Sequence, residues 1–162
     1  MNCFRATKEN PYHISIGGLV VNSEGRILIH HFTDVKLGNT TFDNLYLLLR
    51  ETIEPHESIE QTLERGLMEE FGAQGEIVKY LGSIKGKLPI ENVWAEKTTL
   101  YFLIQYIQHD ELKRQKDSFE SKSRLEWLNP TELIPLMKKQ AAVDASLDES
   151  VIVERFIQST VE

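Results

Sequence analysis

Between Ser58 and Gly72 lies a helix whose two ends are both written into the sequence. Ile59, Leu63, Leu67 and Phe71 recur every four residues, the spacing of a single buried helical stripe. Ser58 and Gln61 fit a capping box, in which each side chain satisfies a backbone N–H at the helix start. Glu60 in the first turn suits the positive end of the helix, and Gly72 suits a left-handed stop. The spacing predicts a helix over 59–71, and a stripe of this kind has to be buried against another layer.

At about 100° per residue, Glu70 falls on the edge of the apolar stripe, while Glu69 projects onto the adjoining surface. A carboxylate on an apolar line is costly to bury unless something cationic meets it. Two successive carboxylates, one turned inward, suit a shared divalent cation, and magnesium commonly bridges such groups to substrate phosphates. The plainer reading of the pair is solvated helix charge, or partners for Arg65.

Around this helix the chain reads as strands with two further helices. Residues 14–21 and 26–32 are β-rich runs joined by Asn22-Ser23-Glu24-Gly25, a hairpin signal with Gly25 available for positive φ. Residues 33–44 read as a polar connection before the apolar run at 45–49. A strand is expected at 76–81, a long loop with Gly86 and Pro89 at 82–97, and the strongest strand at 98–107. A charged loop at 108–123 precedes a short strand at 125–128. Asn129-Pro130-Thr131-Glu132 starts a helix, and Ser146 with Glu149 repeats the capping pattern before a C-terminal helix through about Gln158. The expected architecture is a single α/β domain over 1–162. In it a mixed β-sheet lies between helices, with an N-terminal arm at 1–12 and a helical end at 140–162.

Charge narrows the partners. Lys plus Arg is 18 against 25 for Asp plus Glu, a net charge of −7. So acidic a chain is a poor non-specific binder of nucleic acid or anionic membrane, and a phosphate ligand would call for a metal ion between two negative partners. Cys3 is the only cysteine, which excludes an internal disulfide and a cysteine zinc site. No apolar run approaches a membrane span and the first residues lack a signal-peptide core, so a soluble cytoplasmic protein is expected.

From Glu51 to Ala73 the chain reads ETIEPHESIEQTLERGLMEEFGA, and this resembles the Nudix hydrolase box. That pattern is Gly, five residues, Glu, seven residues, then Arg-Glu-apolar-x-Glu-Glu-x-Gly-apolar. Glu57, Arg65, Leu67, Glu69, Glu70, Gly72 and Ala73 match in register. The leading hairpin and EWLNPTEL at 126–133 extend the likeness over roughly 12–140. The resemblance implies a Nudix-like α/β/α sandwich and metal-dependent hydrolysis of a diphosphate linkage in a nucleoside diphosphate derivative, with Mg²⁺ or Mn²⁺ as cofactor. It implies Glu69 and Glu70 as metal ligands, Arg65 as the residue orienting the carboxylates, and Glu57 completing that network. A surface salt bridge is the plainer role for Arg65 and Glu57. Many relatives add a loop carboxylate as base or ligand, and Glu120 is the best candidate, with Glu91 and Glu96 as alternatives. Many relatives also pair as homodimers, and the sequence leaves that open.

Four residues depart from the box and its flank. Glu51 stands where it begins with Gly, and Leu49-Arg50 replaces the usual Pro-Gly. Gly66 stands where the first Glu of the core is placed, and no neighbour in sequence obviously replaces that carboxylate. The expectation is an attenuated enzyme, limited by Gly66, in which Gly66→Glu restores activity. The alternative is a Nudix-fold nucleotide-binding or regulatory domain that has lost hydrolysis. Arg50, close to where phosphate would lie, is a candidate substrate contact or a block. His30 and His31, adjacent on a strand, are expected to point to opposite faces in core or rim contacts.

Overall fold

Asn22 closes the first turn, its side-chain oxygen accepting the N–H groups of Glu24 and Arg26 while Gly25 takes the positive φ that the turn requires. The computed structural model describes residues 1–161, in which this turn joins β1 (Tyr12–Val21) to β2 (Ile27–Leu37). The remaining strands are β3 (Thr40–Leu47), β4 (Leu49–Thr52), β5 (Ala73–Ile90), β6 (Val93–His109) and β7 (Arg124–Leu128). The helices are α1 (Ile59–Gly66), which runs into a π-helical turn at Leu67–Phe71, α2 (Pro130–Ala141) and α3 (Ser150–Val161).

Together the seven strands form one mixed sheet, with β1 and β6 parallel and the other pairs antiparallel. Strands β1 and β2 pair directly only at Val20–Leu28 and Val21–Ile27, then part company. Beyond that point β3 runs along β2, and at Leu48 the chain crosses over so that β4 runs along β1. The sheet is therefore forked, and residues at the fork look into a cleft.

Alternation along the strands feeds two cores. Leu19, Val21, Ile27 and Ile29 pack against Leu133 and Met137 of α2 and Ile152, Val153 and Phe156 of α3. Ile16, Val20, Leu28 and Leu49 pack on the other side against Leu63, Leu67 and Phe71. Helices thus cover both faces of a mixed sheet, the expected α/β/α arrangement.

Several boundaries differ from the sequence reading. The polar stretch 33–44 is a hairpin, β2 continuing to Leu37 and β3 starting at Thr40. Val35 and Leu37 pack on the Phe32–Phe42–Leu45 cluster, while Asp34 and Lys36 beside them face outward. The supposed loop 82–97 is the far end of the long β5–β6 hairpin, with Pro89 opposite Trp94. Proline is tolerated there because β5 is an edge strand and that N–H is not needed. At the C-terminal end Asp148 accepts the Ser150 N–H at 2.9 Å, so the box expected of Ser146 and Glu149 does not form. Glu149 turns inward instead.

Candidate active site

The capping box at Ser58 and Gln61 forms as the sequence predicts, and the apolar stripe seats α1 on the sheet. The last turn differs. Residues 67–71 widen into a π-helical turn, closed by the Gly72 N–H donating to the carbonyls of Leu67 and Met68. Such turns recur at functional sites because the extra residue re-aims side chains. Here the widened turn carries Glu69 and Glu70. Gly72 is left-handed, and a Cβ on it would collide with the Asp110 carbonyl oxygen, so the stop can only be glycine.

Glu70 is 6% exposed and its Oε2 lies 2.8 Å from His30 Nε2. His30 Nδ1 lies 2.6 Å from Ser123 Oγ, and Arg114 binds Ser123 and the backbone carbonyls of Glu70 and Glu120. Burial, with the nearby Arg114 and Arg50 charges, lowers the His30 pKa to about 3, so the ring is neutral. The neutral ring carries a single N–H between Glu70 at Nε2 and Ser123 at Nδ1, and the Ser123 hydroxyl itself donates to the Glu120 carbonyl at 2.9 Å. Burial also drives the Glu70 pKa well above the ordinary carboxylate range, helped by the negative charges of Glu120 and Glu51 and opposed by Arg50.

A cleft of about 350 Å³ opens at the fork, with Arg50, Glu51, Glu69, Glu70, Lys97 and Glu120 on its walls. The structure therefore brings together four of the sequence candidates, Arg50, Glu69, Glu70 and Glu120. Arg65 stands behind them. Its guanidinium lies 2.7 Å from Glu57, 3.0 Å from Glu51 and 3.5 Å from Glu69, and it donates to the Thr52 carbonyl. Glu57 does not line the cleft; it also accepts from the Thr62 hydroxyl and the Glu54 N–H. Glu91 and Glu96 lie at the far end of the β5–β6 hairpin, facing Lys8 and Lys85.

The Arg65 hydrogen bonds hold the Glu57 pKa down to about 2 from an ordinary 4.5. A carboxylate depressed in this way contributes stability above pH 4.5 that disappears as pH falls towards 2. Glu57→Gln is expected to lower stability at pH 7 by roughly 1–2 kcal/mol, after allowance for solvent screening, and by progressively less below pH 4.5. Urea unfolding midpoints between pH 7 and pH 3 check this; a gap that stays constant with pH would contradict it.

Other residues in and beside the cleft escaped the sequence reading. Glu51 counted only as a departure from the box, yet its side chain reaches the cleft wall. Lys97, whose pKa burial and the Arg50 charge lower to about 8, fell within an assumed loop. Glu149, 1% exposed, accepts the Leu48 N–H at 3.0 Å and the Tyr101 hydroxyl, and lies 3.8 Å from Arg50. A 3.6-residue wheel finds an inward carboxylate on a helix, but no local signal marks a lysine across a hairpin or a glutamate in a turn. His31 points away from His30 as expected, contacting Glu126 and Asn44 at 2.7 Å each.

The donor set suits a hard divalent cation, since every acidic group on the cleft wall is a carboxylate. Among the described residues no group of three or more His, Cys, Asp or Glu side chains is placed to hold a metal ion. Magnesium needs none, because it is commonly held by one or two carboxylates and several waters.

Residues 11–149 match the family model described as NUDIX domain. Among solved structures, a NUDIX hydrolase from Nitrosomonas europaea superposes with a TM-score of 0.64 at 16% identity, covering 91% of this chain and 90% of that one. A MutT protein from Methanosarcina mazei Go1 gives 0.62 at 21% identity, covering 96% and 100%. The ORF135 protein of E. coli gives 0.55 at 15% identity, with 91% of each chain covered. At such identities these likenesses concern the fold. No curated protein sequence matches this chain significantly.

Proposed function

The chain belongs to the NUDIX domain family, and we propose that it hydrolyses a diphosphate linkage in a nucleoside diphosphate derivative with the help of Mg²⁺ or Mn²⁺. The observation that carries this reading is the cleft itself, where Glu51, Glu69, Glu70 and Glu120 face Arg50 and Lys97. Acidic groups for a metal ion and basic groups for phosphate oxygens meet in one depression.

Glu69 and Glu70 would hold the ion. When bound, a divalent cation supplies positive charge that neutralises phosphate oxygens and acidifies water. Arg50 and Lys97, which line the same cleft, bind the remaining phosphate charge. Arg65 orients Glu69 and Glu51, and Glu57 in turn fixes Arg65. Glu120 lines the cleft on a 3₁₀ turn, where its carboxylate can accept a proton from the attacking water. A neighbouring cavity of about 780 Å³ shares Arg50 and Lys97 with the cleft and has Trp94 on its wall, 67% exposed. That cavity offers the rest of the substrate a stacking surface.

The experiment is product analysis with ADP-ribose, a nucleoside diphosphate sugar and a dinucleoside polyphosphate. Anhydride cleavage that requires Mg²⁺ or Mn²⁺ is expected, with simple phosphomonoesters left intact. Release of phosphate from a monoester without any anhydride cleavage would count against the reading.

A further inference from the structure

Gly66 and Glu51, two departures from the box, touch each other in space. A Cβ built on Gly66 would lie 3.1 Å from the Glu51 Cβ and 3.4 Å from its Cγ. The stem of Glu51 therefore lies against the side of Gly66 from which a side chain would grow. The acidic side chain between α1 and β4 comes, in this chain, from the strand.

We propose that Glu51 supplies from β4 the metal-binding carboxylate that position 66 lacks, so that the two departures are one reciprocal exchange. The proposal rests on the hydrolase reading above. Glu51 reaches the same cleft as Glu69 and Glu70. Its Oε1 takes the Arg65 guanidinium at 3.0 Å and the Thr52 N–H at 3.2 Å, while Oε2 takes no hydrogen bond among the described residues. Arg65 Nη1 thus lies between Glu51 and Glu69, 3.0 Å from one carboxylate and 3.5 Å from the other. On this proposal Gly66→Glu by itself does not improve the site, because the new stem meets that of Glu51, which must give by a few tenths of an ångström.

Mn²⁺ binding without nucleotide tests the exchange, read by the paramagnetic signal of the free ion and by water-proton relaxation. Wild type, Glu51→Gly, Gly66→Glu and the double variant Glu51→Gly/Gly66→Glu form a cycle, with Glu51→Gln and Glu70→Gln alongside. Loss of the ligand in Glu51→Gly is expected to weaken Mn²⁺ binding at least about tenfold and to add water to the bound ion. The double variant is expected to recover binding to within about threefold of wild type, and Gly66→Glu alone to bind no better than wild type. Where Glu51→Gly does not fold, Glu51→Gln decides, with the same direction of change in affinity. Wild-type affinity in both Glu51 variants overturns the proposal, and Glu70→Gln then tells how far the failure reaches. If Glu70→Gln still loses Mn²⁺, the hydrolase reading stands and only the exchange falls. A wild type that binds no Mn²⁺ overturns both.

Discussion

Glu70→Gln is expected to remove metal-dependent hydrolysis and, in the absence of metal, to raise the melting temperature. The loss in rate should be on the order of 10²-fold or more, since the variant gives up the most buried carboxylate of the cleft. The gain in stability follows from burial. Glu70 has its pKa raised in the folded chain, first by desolvation and then by Glu120 and Glu51. A carboxylate raised in this way favours folding at low pH, and that contribution is lost as pH rises from the unfolded value through the folded one. Glutamine keeps the shape and can still accept from neutral His30, but has no charge to desolvate. The melting temperatures of the two proteins in a chelator should therefore coincide near pH 4 and separate in favour of the variant towards pH 8. Added Mg²⁺ should narrow or reverse the gap, because it stabilises only the protein that binds it. Unchanged hydrolysis would remove Glu70 from the metal site, and a variant less stable than wild type at pH 8 would contradict the sign of the burial cost.

What could be read from the sequence, and what could not, divides along the range of the interactions. Helix 59–71 was legible because its stripe, cap and stop all lie within fifteen residues, and the wheel that placed Glu70 inward needed nothing else. The widening at 67–71 was not, since no local residue pattern marks a π-helical turn, and the Gly72 that closes it pairs with Asp110 nearly forty residues away. The hairpin at Gly25 announced itself, yet Gly38-Asn39, an equally good two-residue turn signal, was passed over amid polar residues. Alternation of Val35 and Leu37 with charged neighbours was the mark of a half-buried strand. In the cleft, the box pattern located Glu69, Glu70 and Arg65, which sit on one helix. Glu51 reads only as a departure from the box because its contact with Gly66, fifteen residues further on, is made across an α–β contact. His30 was visible as a strand residue but not as the partner of Glu70, forty residues distant. A pattern written for a family records which residue types occupy each position, and it cannot show which of those positions touch in space.

The largest effect on stability is expected from Glu149→Ala. Read along the chain, Glu149 belongs to a helix cap; in the structure its side chain ties three elements together. It accepts the Leu48 N–H where the chain crosses the fork, accepts the Tyr101 hydroxyl from β6, and faces Arg50 of β4. Burial, the Glu149 charge and their hydrogen bond hold the Tyr101 phenol well above its ordinary pKa, so its proton stays in place. Alanine would leave a backbone N–H and a phenol without partners in the interior, and Arg50 without its counter-charge. Removing one side of a buried charge network costs about 3–5 kcal/mol, which for a chain of this length lowers the melting temperature on the order of 10 °C. Glu149→Gln should cost less, because the amide oxygen can still accept from Leu48 or Tyr101. Function should follow Arg50. With its anchor gone, Arg50 samples more of the cleft, and the KM for a diphosphate substrate is expected to rise more than kcat falls in Glu149→Gln. Thermal and urea unfolding of both variants, with steady-state kinetics of the glutamine variant, measure these quantities. Stability within about 1 kcal/mol of wild type in Glu149→Ala would show the network to be a contact without consequence. A glutamine variant with unchanged KM would free Arg50 from any dependence on the C-terminal segment.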